Sequence, residues 1–331
     1  MAKFRLPTAP ACDKSLTFRP DTPWLAPLAG YSDLPFRLLC RELGACVATT
    51  EMISAKGLCY ESPGTLPLLQ STTADQPLVV QLFGAEADFL GRAVAELRQA
   101  GFGYFDLNMG CSVPKVMRQQ AGAALLAEPE KALACARAMI QEAGPGRVGC
   151  KLRLGLCEQQ ICLPDLALRL EEAGAAWITL HPRYARQGFQ GQADRSWLTR
   201  LAGQLSIPLI ASGDLFSAQD GVNCLETSGA SCVMYARGAL KNPYIFSDHQ
   251  AILQKKDHPS EHSLRRLLLR HLKLVESYPP SARDQTARMR GILSSYVRGQ
   301  PFARAMRIAF CQARQWFELY DIVDRFLPPQ A

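Results

Sequence analysis

The apolar positions of this chain fall into eight short runs, each bounded by turn-forming or polar residues. Runs of this length and composition predict β-strands. Their interiors are mostly continuous in apolar residues rather than alternating, which is typical of strands covered on both faces. The predicted strands span residues 24–29, 45–51, 78–83, 104–108, 148–153, 177–181, 208–212 and 232–236.

Segments with helical periodicity lie between these runs, for example at 88–100, 129–143, 163–173 and 218–227. Alternation of strands and helices predicts an α/β protein with a parallel sheet. Eight such units favour a closed (β/α)8 TIM barrel over an open doubly wound sheet. No Gly-x-Gly-x-x-Gly motif follows the first strand, which weighs against a Rossmann fold.

The pattern changes after residue 246, where the strands stop. Helices are predicted at 262–277, 281–298 and 303–326, separated by segments rich in Pro and Gly. We therefore expect a barrel domain over residues 1–250 and a small C-terminal helical domain over 259–331. The segment 247–259 is predicted to be the linker between them.

The net charge of +7 is unevenly distributed along the 331 residues. From Lys255 to the end there are 14 Lys and Arg against 7 Asp and Glu, so the preceding residues are neutral overall. Eleven of those 14 cations are arginines, which suit phosphate contact and stacking on bases. The helical domain is thus predicted to bind a polyanion; a solvated basic surface is the alternative.

The twelve cysteines are scattered and contain no Cys-x-x-Cys pair, so neither a zinc ribbon nor a thioredoxin motif is indicated. No metal site is predicted. No apolar run reaches the length of a membrane span, and the N-terminus lacks the apolar stretch of a secretory signal. We expect a cytoplasmic protein with free thiols.

Catalytic residues of such barrels come from the C-terminal ends of the strands and the loops that follow. The predicted strand ends carry a mixture of exposed backbone, amides, cations, one imidazole and one thiol. These residues are Pro27, Leu28, Ala29, Gln81, Asn108, Cys111, Lys151, Arg153, His181, Arg183, Ser212, Gly213, Asp214, Ala236 and Arg237.

The ends of the last two strands indicate a phosphate site. Ser212, Gly213 and Asp214 follow the seventh strand, and Ala236 and Arg237 follow the eighth. Small residues expose backbone N–H groups, and these are the loops where TIM barrels commonly bind phosphate. Two ordinary tight turns are the alternative interpretation.

Lys151 and His181 each have a structural and a functional interpretation. Lys151 ends a buried apolar run, where an ammonium group is costly unless an anion or an electron-rich ring lies beside it. An ion pair with Glu51 is the structural alternative. His181 is the only histidine in the first 248 residues, and its position at a strand end favours a functional role.

Cys111 lies in a polar loop with Asn108, Ser112 and Lys115. A thiol in such a loop can act as a nucleophile or a proton donor, although a buried structural thiol is the alternative. No arrangement typical of a cysteine protease accompanies it, so proton transfer is favoured.

In order and spacing, these motifs resemble those of the bacterial tRNA-dihydrouridine synthase family. The segment Asn108-Met109-Gly110-Cys111 resembles the family's active-site signature, and the other strand ends follow in the family's order. The chain departs from the family pattern in having Ser112 where Pro is usual and Ser212 where Asn is usual.

The resemblance implies an FMN enzyme that uses NADPH to reduce selected uridines of tRNA to 5,6-dihydrouridine. Reduced flavin would deliver hydride to carbon 6 of the uracil, and Cys111 would protonate carbon 5. The FMN would contact Pro27, Leu28, Ala29, Gln81, Lys151 and His181, with its phosphate held by Ser212, Gly213, Asp214, Ala236 and Arg237. The RNA substrate would contact Asn108, Arg153, Arg183, Arg288 and Arg290.

Two other functions fit parts of this pattern. One is an FMN-dependent dehydrogenase of free dihydropyrimidines or dihydroorotate, which would share the flavin site. The other is a tRNA-binding protein without catalysis. The basic helical tail favours the tRNA enzyme, because a small substrate has no use for it. No obligate protein partner is expected, and the protein is predicted to be a monomer.

Overall fold

The computed structural model describes residues 6–10, 15–256, 262–280 and 284–329. Within them, nine strand segments form one parallel sheet. These are β1 Trp24–Leu25, β2 Val47–Thr49, β3 Ile53–Ser54, β4 Leu78–Phe83, β5 Tyr104–Met109, β6 Val148–Leu152, β7 Trp177–Leu180, β8 Leu209–Ala211 and β9 Cys232–Tyr235.

The sheet closes on itself, because β1 pairs with both β2 and β9. The predicted (β/α)8 barrel is therefore confirmed. The second predicted strand, 45–51, is shorter in the structure, and β3 follows beyond its predicted end: β2 and β3 both pair with β4, with a break between them. At the break the side-chain oxygen of Thr50 accepts a hydrogen bond from the backbone N–H of Gln81 at 3.1 Å, which replaces the missing ladder bond.

Fourteen α-helices accompany the strands in the described residues. Those of the barrel are α1 Leu34–Glu42, α2 Ala55–Cys59, α3 Ala87–Gln99, α4 Pro114–Met117, α5 Pro129–Ala143, α6 Asp165–Glu172, α7 Ser196–Ala202, α8 Ala218–Ser228, α9 Arg237–Lys241 and α10 Ile245–Leu253. They are followed by α11 Leu264–Ser277, α12 Gln285–Tyr296, α13 Ala303–Gln312 and α14 Trp316–Phe326. None of these helices has the length and apolar character that a membrane span requires.

The C-terminal region differs from the prediction in two places. Residues up to Leu253 belong to α10 rather than to a linker, while the predicted linker end, Pro259, lies outside the described residues, as does Ser281, the predicted start of the second helix. The third predicted helix is two helices, because Ala313 takes an extended conformation and Gln315 begins α14 with a capping box. The domain boundary itself stays a prediction.

The C-terminal helices pack directly on the barrel. Helix α11 lies against α1, where the Arg270 guanidinium donates to the Glu42 carboxylate. Helix α12 contacts α9, and the hydroxyl of Ser295 donates to the carbonyl of Leu240 at 2.8 Å. A single apolar core runs from the barrel helices into this region.

The interior of the barrel is divided into an apolar floor and a polar upper layer. Successive residues of a strand point to opposite faces, which sends Trp24 and Trp177 inward at the floor and Gln81 and Lys151 inward above it. The rings of Trp24 and Trp177 lie 5.8 Å apart, and Phe18 packs against both. The floor is therefore sealed by aromatic side chains.

Gly149 makes this floor possible. A β-carbon at Gly149 would overlap the indole of Trp177, and both residues lie in the paired strands β6 and β7. We expect Gly149→Ala to lower the free energy of unfolding by about 3 kcal/mol through overpacking. Urea denaturation measures this change.

Gly203→Ala is the matched control. Gly203 has φ of −76°, and an added β-carbon there would make only ordinary contacts. It should change the free energy of unfolding by less than about 1 kcal/mol. Equal stability of the two variants would mean that the floor tolerates repacking.

Candidate active site at the carboxyl end of the barrel

A cavity of about 270 Å³ opens above the polar layer, at the carboxyl ends of the strands. It is lined by fourteen of the seventeen residues predicted from the sequence. These are Pro27, Leu28, Ala29, Gln81, Asn108, Cys111, Lys151, Arg153, His181, Ser212, Gly213, Asp214, Ala236 and Arg237. Arg183, Arg288 and Arg290 do not line it.

A chain of side-chain hydrogen bonds crosses the polar layer from β5 to β4 and back. The Gln81 amide nitrogen donates to the Asp106 carboxylate, and the Asn108 amide nitrogen donates to the Gln81 amide oxygen, both at 2.7 Å. The Asn108 oxygen then accepts from the backbone N–H groups of Gly110 and Cys111. The side chain of Asn108, expected to orient the substrate base, thus holds the loop that carries the thiol.

Lys151 lies beside Asn108 in the register of β5 and β6. Burial and, to a lesser extent, the nearby Arg153 lower the pKa of Lys151 to about 8, whereas Asp106 and Cys111 raise it. The alternative of an ion pair with Glu51 is wrong. Among the described residues no salt bridge reaches Lys151, and Glu51 instead accepts from the backbone N–H of Gly30 at 2.5 Å.

His181 is enclosed by the loop after β8. Gly213 has φ of +100°, and a β-carbon there would overlap the His181 ring, so only glycine allows this close approach. Burial, followed by the cations Lys151, Arg153 and Arg183, lowers the pKa of His181 to about 2. The imidazole is therefore neutral at physiological pH.

Asp214 joins two arginines at the predicted phosphate loops. Its carboxylate accepts from Arg183 at 2.6 Å and from Arg237 at 2.9 Å. Burial alone would raise the pKa of Asp214, but the hydrogen bond from Arg183 and the other donors outweigh it and lower the pKa. Arg237 is further enclosed by the rings of Phe189 and Phe216.

The same loops present backbone donors. Gly213, Asp214 and Arg237 line the cavity, and in the described part of the chain their backbone N–H groups donate to no protein acceptor. Free N–H groups beside an arginine suit an anionic oxygen. An anion such as a phosphate ester therefore fits here through the backbone of Asp214 rather than through its carboxylate.

Arg183 was predicted to contact the substrate, but its position is different. The side chain is 1% exposed. Its guanidinium bonds to Asp214 and to the carbonyls of Gln190 and Gly191, and it lies 3.4 Å from the His181 ring. Arg183 is thus a buried support for the loop after β7 and is not open to a substrate in this structure.

Arg153 is held by backbone carbonyls. It donates to Gly110 at 2.9 Å and to Tyr184 and Gly188 at 3.0 Å. Burial, followed by the charge of Arg183, lowers its pKa to about 10. Since Arg153 lines the cavity, it supplies positive charge there while tying the Cys111 loop to the loop after β7.

Arg288 and Arg290, predicted to contact RNA, make internal contacts. Arg288 pairs with Asp33 at 2.6 Å and donates to the carbonyl of Gly30. Arg290 donates to the carbonyl of Cys311 at 3.3 Å and lies 3.9 Å from the Asp284 carboxylate. Arg288 therefore connects α12 to the turn that follows β1.

Two residues of the site were missed in the sequence. Asp106 lies within an apolar run, yet its spacing of two from Asn108 places both on the inner face of β5. Phe189 lies in the loop after β7 and is 61% exposed, with its ring over both Arg153 and Arg237. No strand pattern marks that loop, so the sequence carried no signal for Phe189.

The neutral state of His181 can be measured directly. An unperturbed histidine titrates near pH 6.5, whereas the ring proton resonances of His181 should keep the chemical shifts of a neutral imidazole between pH 5 and 9 in NMR spectra. His181→Gln identifies the signal by its disappearance. A titration midpoint near 6.5 would contradict the enclosed site described above.

Known proteins with similar sequences share one family description. A sequence model described as dihydrouridine synthase (Dus) matches residues 24–321. A probable tRNA-dihydrouridine synthase 1 of Synechocystis sp. is 32% identical over 305 residues, which cover 91% of this chain and 84% of the relative. A probable tRNA-dihydrouridine synthase of Aquifex aeolicus is 30% identical over 306 residues, covering 91% and 94%.

Among solved structures, morphinone reductase aligns with a TM-score of 0.48 and 14% identity, over 72% of this chain and 87% of that one. The family model spans most of the chain, including every residue that lines the cavity. The resemblance seen in the sequence is thereby confirmed, and the chain belongs to the dihydrouridine synthase family.

Proposed function

We propose that this protein is a tRNA-dihydrouridine synthase that reduces uridine in tRNA with FMN and NADPH. The observation that carries the proposal is the convergence, in one cavity, of a thiol at Cys111, a cation at Lys151 and the anion-binding loops at Gly213 and Arg237. Membership of the dihydrouridine synthase family supplies the reaction class.

The residues present fit FMN. The backbone N–H groups of Gly213, Asp214 and Arg237 would hold its phosphate, because they donate to no protein acceptor within the described residues. Lys151 and the 27–29 turn would contact the ring system, since they line the same cavity. When bound, the flavin supplies a hydride, received from NADPH, to carbon 6 of the uracil.

Cys111 would complete the reduction by moving a proton from its sulfur to carbon 5. The two additions together saturate the carbon–carbon bond, and the thiolate left behind regains a proton from water. Lys151 and Arg153 interact electrostatically with Cys111, so positive charge lies near the sulfur. Neutral His181 adds no competing acid, because its pKa lies near 2.

Phe189 supplies an aromatic wall at the mouth. Its ring is exposed while lying over two guanidinium groups, so a flat base entering the cavity meets an apolar face. A uridine inside folded RNA reaches this depth only after leaving its stack. We infer that the target base is flipped into the mouth.

A basic surface on α13 favours tRNA over a free pyrimidine as the substrate. Arg304 and Arg307 are exposed on one face of α13, and no salt bridge engages them among the described residues. A small free base needs no such surface, which favours the RNA substrate over the dehydrogenase alternative. A cytoplasmic, monomeric protein stays a prediction.

Replacement of the thiol tests the chemistry. Cys111→Ala should keep bound FMN and its reduction by NADPH, but lose more than about 100-fold in dihydrouridine formation, the usual contribution of a positioned acid. Mass spectrometry of an unmodified tRNA transcript measures the product, and flavin absorbance measures the reduction.

Cys59→Ala is the control, because Cys59 is also partly buried but does not line the cavity. A normal yield of dihydrouridine from Cys111→Ala would show that Cys111 is not the proton donor. A wild-type protein that oxidises NADPH but leaves tRNA unchanged would point to a free pyrimidine as the substrate. Binding of tRNA without either reaction would point to the binding-only protein.

The tRNA surface has its own test. Arg304→Gln combined with Arg307→Gln should weaken tRNA binding and lower the slope of log affinity against log salt by about 2, since each phosphate contact contributes about one. Flavin reduction should not change. Fluorescence titration at several salt concentrations gives both quantities.

Arg288→Gln is the informative comparison for that surface. Its guanidinium is paired internally with Asp33, so we expect lower thermal stability and weaker flavin retention rather than a smaller salt slope. A reduced salt slope for Arg288→Gln alone would restore the role in RNA binding that the sequence suggested for it.

A further inference from the structure

We propose that Asp106 is a positioning residue that fixes the loop of Cys111 by dictating which way the side-chain amides of Gln81 and Asn108 face. The inference goes beyond the proposed function, and it depends on that function only for its consequence in turnover. It rests on the direction of each hydrogen bond in the chain that begins at Asp106.

The chain starts at a group that can only accept. The Asp106 side chain is buried on the inner face of β5, and an ionised carboxylate has no donor. Gln81 lies opposite it in the paired strand β4. The Gln81 amide must therefore turn its nitrogen to Asp106, and the distance of 2.7 Å agrees with this orientation.

Each following bond is then determined by the one before it. With its nitrogen used, Gln81 offers its oxygen to the Asn108 amide nitrogen at 2.7 Å. Asn108 is left with its oxygen toward the backbone N–H groups of Gly110 and Cys111, at 3.2 and 3.0 Å. The acceptor-only character of Asp106 is thus transmitted to the backbone of Cys111.

The reverse orientation would release the loop. If Gln81 and Asn108 both turned over, the Asn108 nitrogen would face two backbone N–H groups, and donors cannot satisfy donors. The carboxylate of Asp106 at one end and the backbone N–H groups of Gly110 and Cys111 at the other therefore require the same orientation of both amides. The carboxylate of Glu51 accepts from the backbone N–H of Gly30 instead.

The charge state of Asp106 sets the conditions for a test. Burial raises the pKa of Asp106 to about 7, while the Gln81 hydrogen bond and Lys151 lower it. Arg153 and Cys111 interact electrostatically with Lys151 on β6. The charge of Asp106 acts in the same way on Cys150 of that strand. Measurements at pH 8, above the pKa of Asp106, favour the ionised carboxylate.

The experiment moves the carboxylate by one position along the series of hydrogen bonds, from residue 106 to residue 81. In Asp106→Asn the amide at 106 can face either way, so exchange of the Gly110 and Cys111 amide hydrogens should become about tenfold faster, as expected when a buried hydrogen bond is weakened. In Asp106→Asn with Gln81→Glu, the new carboxylate again only accepts. Protection should return to within about threefold of the wild type.

Hydrogen exchange followed by mass spectrometry reads the peptide containing Cys111 in the purified flavin-loaded protein. The rate of Cys111 alkylation by iodoacetamide, mapped to the same peptide, is the second readout. Thr179→Val is the control: Thr179 is buried next to Lys151 in the sheet register, and its hydroxyl has no hydrogen-bond partner among the described residues. It should leave both rates unchanged.

Unchanged exchange in Asp106→Asn, or failure of Gln81→Glu to restore protection, would overturn the proposal. Fast exchange spread over the whole barrel in Asp106→Asn would also overturn it, since that pattern marks a general loss of stability. These readouts need no tRNA, so they stand even if the protein proves not to act on tRNA. In a working synthase, Asp106→Asn should lower kcat and leave KM for tRNA within about twofold.

Discussion

The mouth of the barrel concentrates positive charge on side chains that are themselves largely buried, Arg153 and Arg183 among them. Lys151, Arg153 and Arg183 all depress the proton affinity of His181, and Asp214 neutralises part of that charge through Arg183. Cations held in this way by neighbouring groups pay their desolvation cost before any ligand arrives. An anionic cofactor and an anionic polymer substrate both gain from such a field, and so does a thiolate formed during turnover.

This field depends on where the strands place their side chains. The inner faces of β5 and β6 supply Asp106, Asn108 and Lys151 at fixed heights, so the groups are positioned by the sheet rather than by loops. The loops supply a close approach of backbone to side chain. Gly213 has no β-carbon, which leaves room for the imidazole of His181. Rigid placement and close backbone approach together shape the cavity.

The strand ends could be read from the sequence because buried runs end at polar residues, and fourteen predicted residues do line the cavity. The sequence did not show which groups form ion pairs or hydrogen bonds with the charged residues. Arg288 is an arginine in a basic tail, and only the fold shows that Asp33 lies beside it. Asp106 is a similar case: a single carboxylate in an apolar strand shows its role only when Gln81 on the neighbouring strand is seen to donate to it.

The aromatic floor built from Phe18, Trp24 and Trp177 closes the barrel at the end opposite the cavity. Ligands of the polar layer therefore enter through the cavity at the carboxyl ends of the strands. Under the proposed function, the reductant and the RNA would both use this opening. Such an enzyme would follow a ping-pong order of events, in which the reductant leaves before the RNA enters.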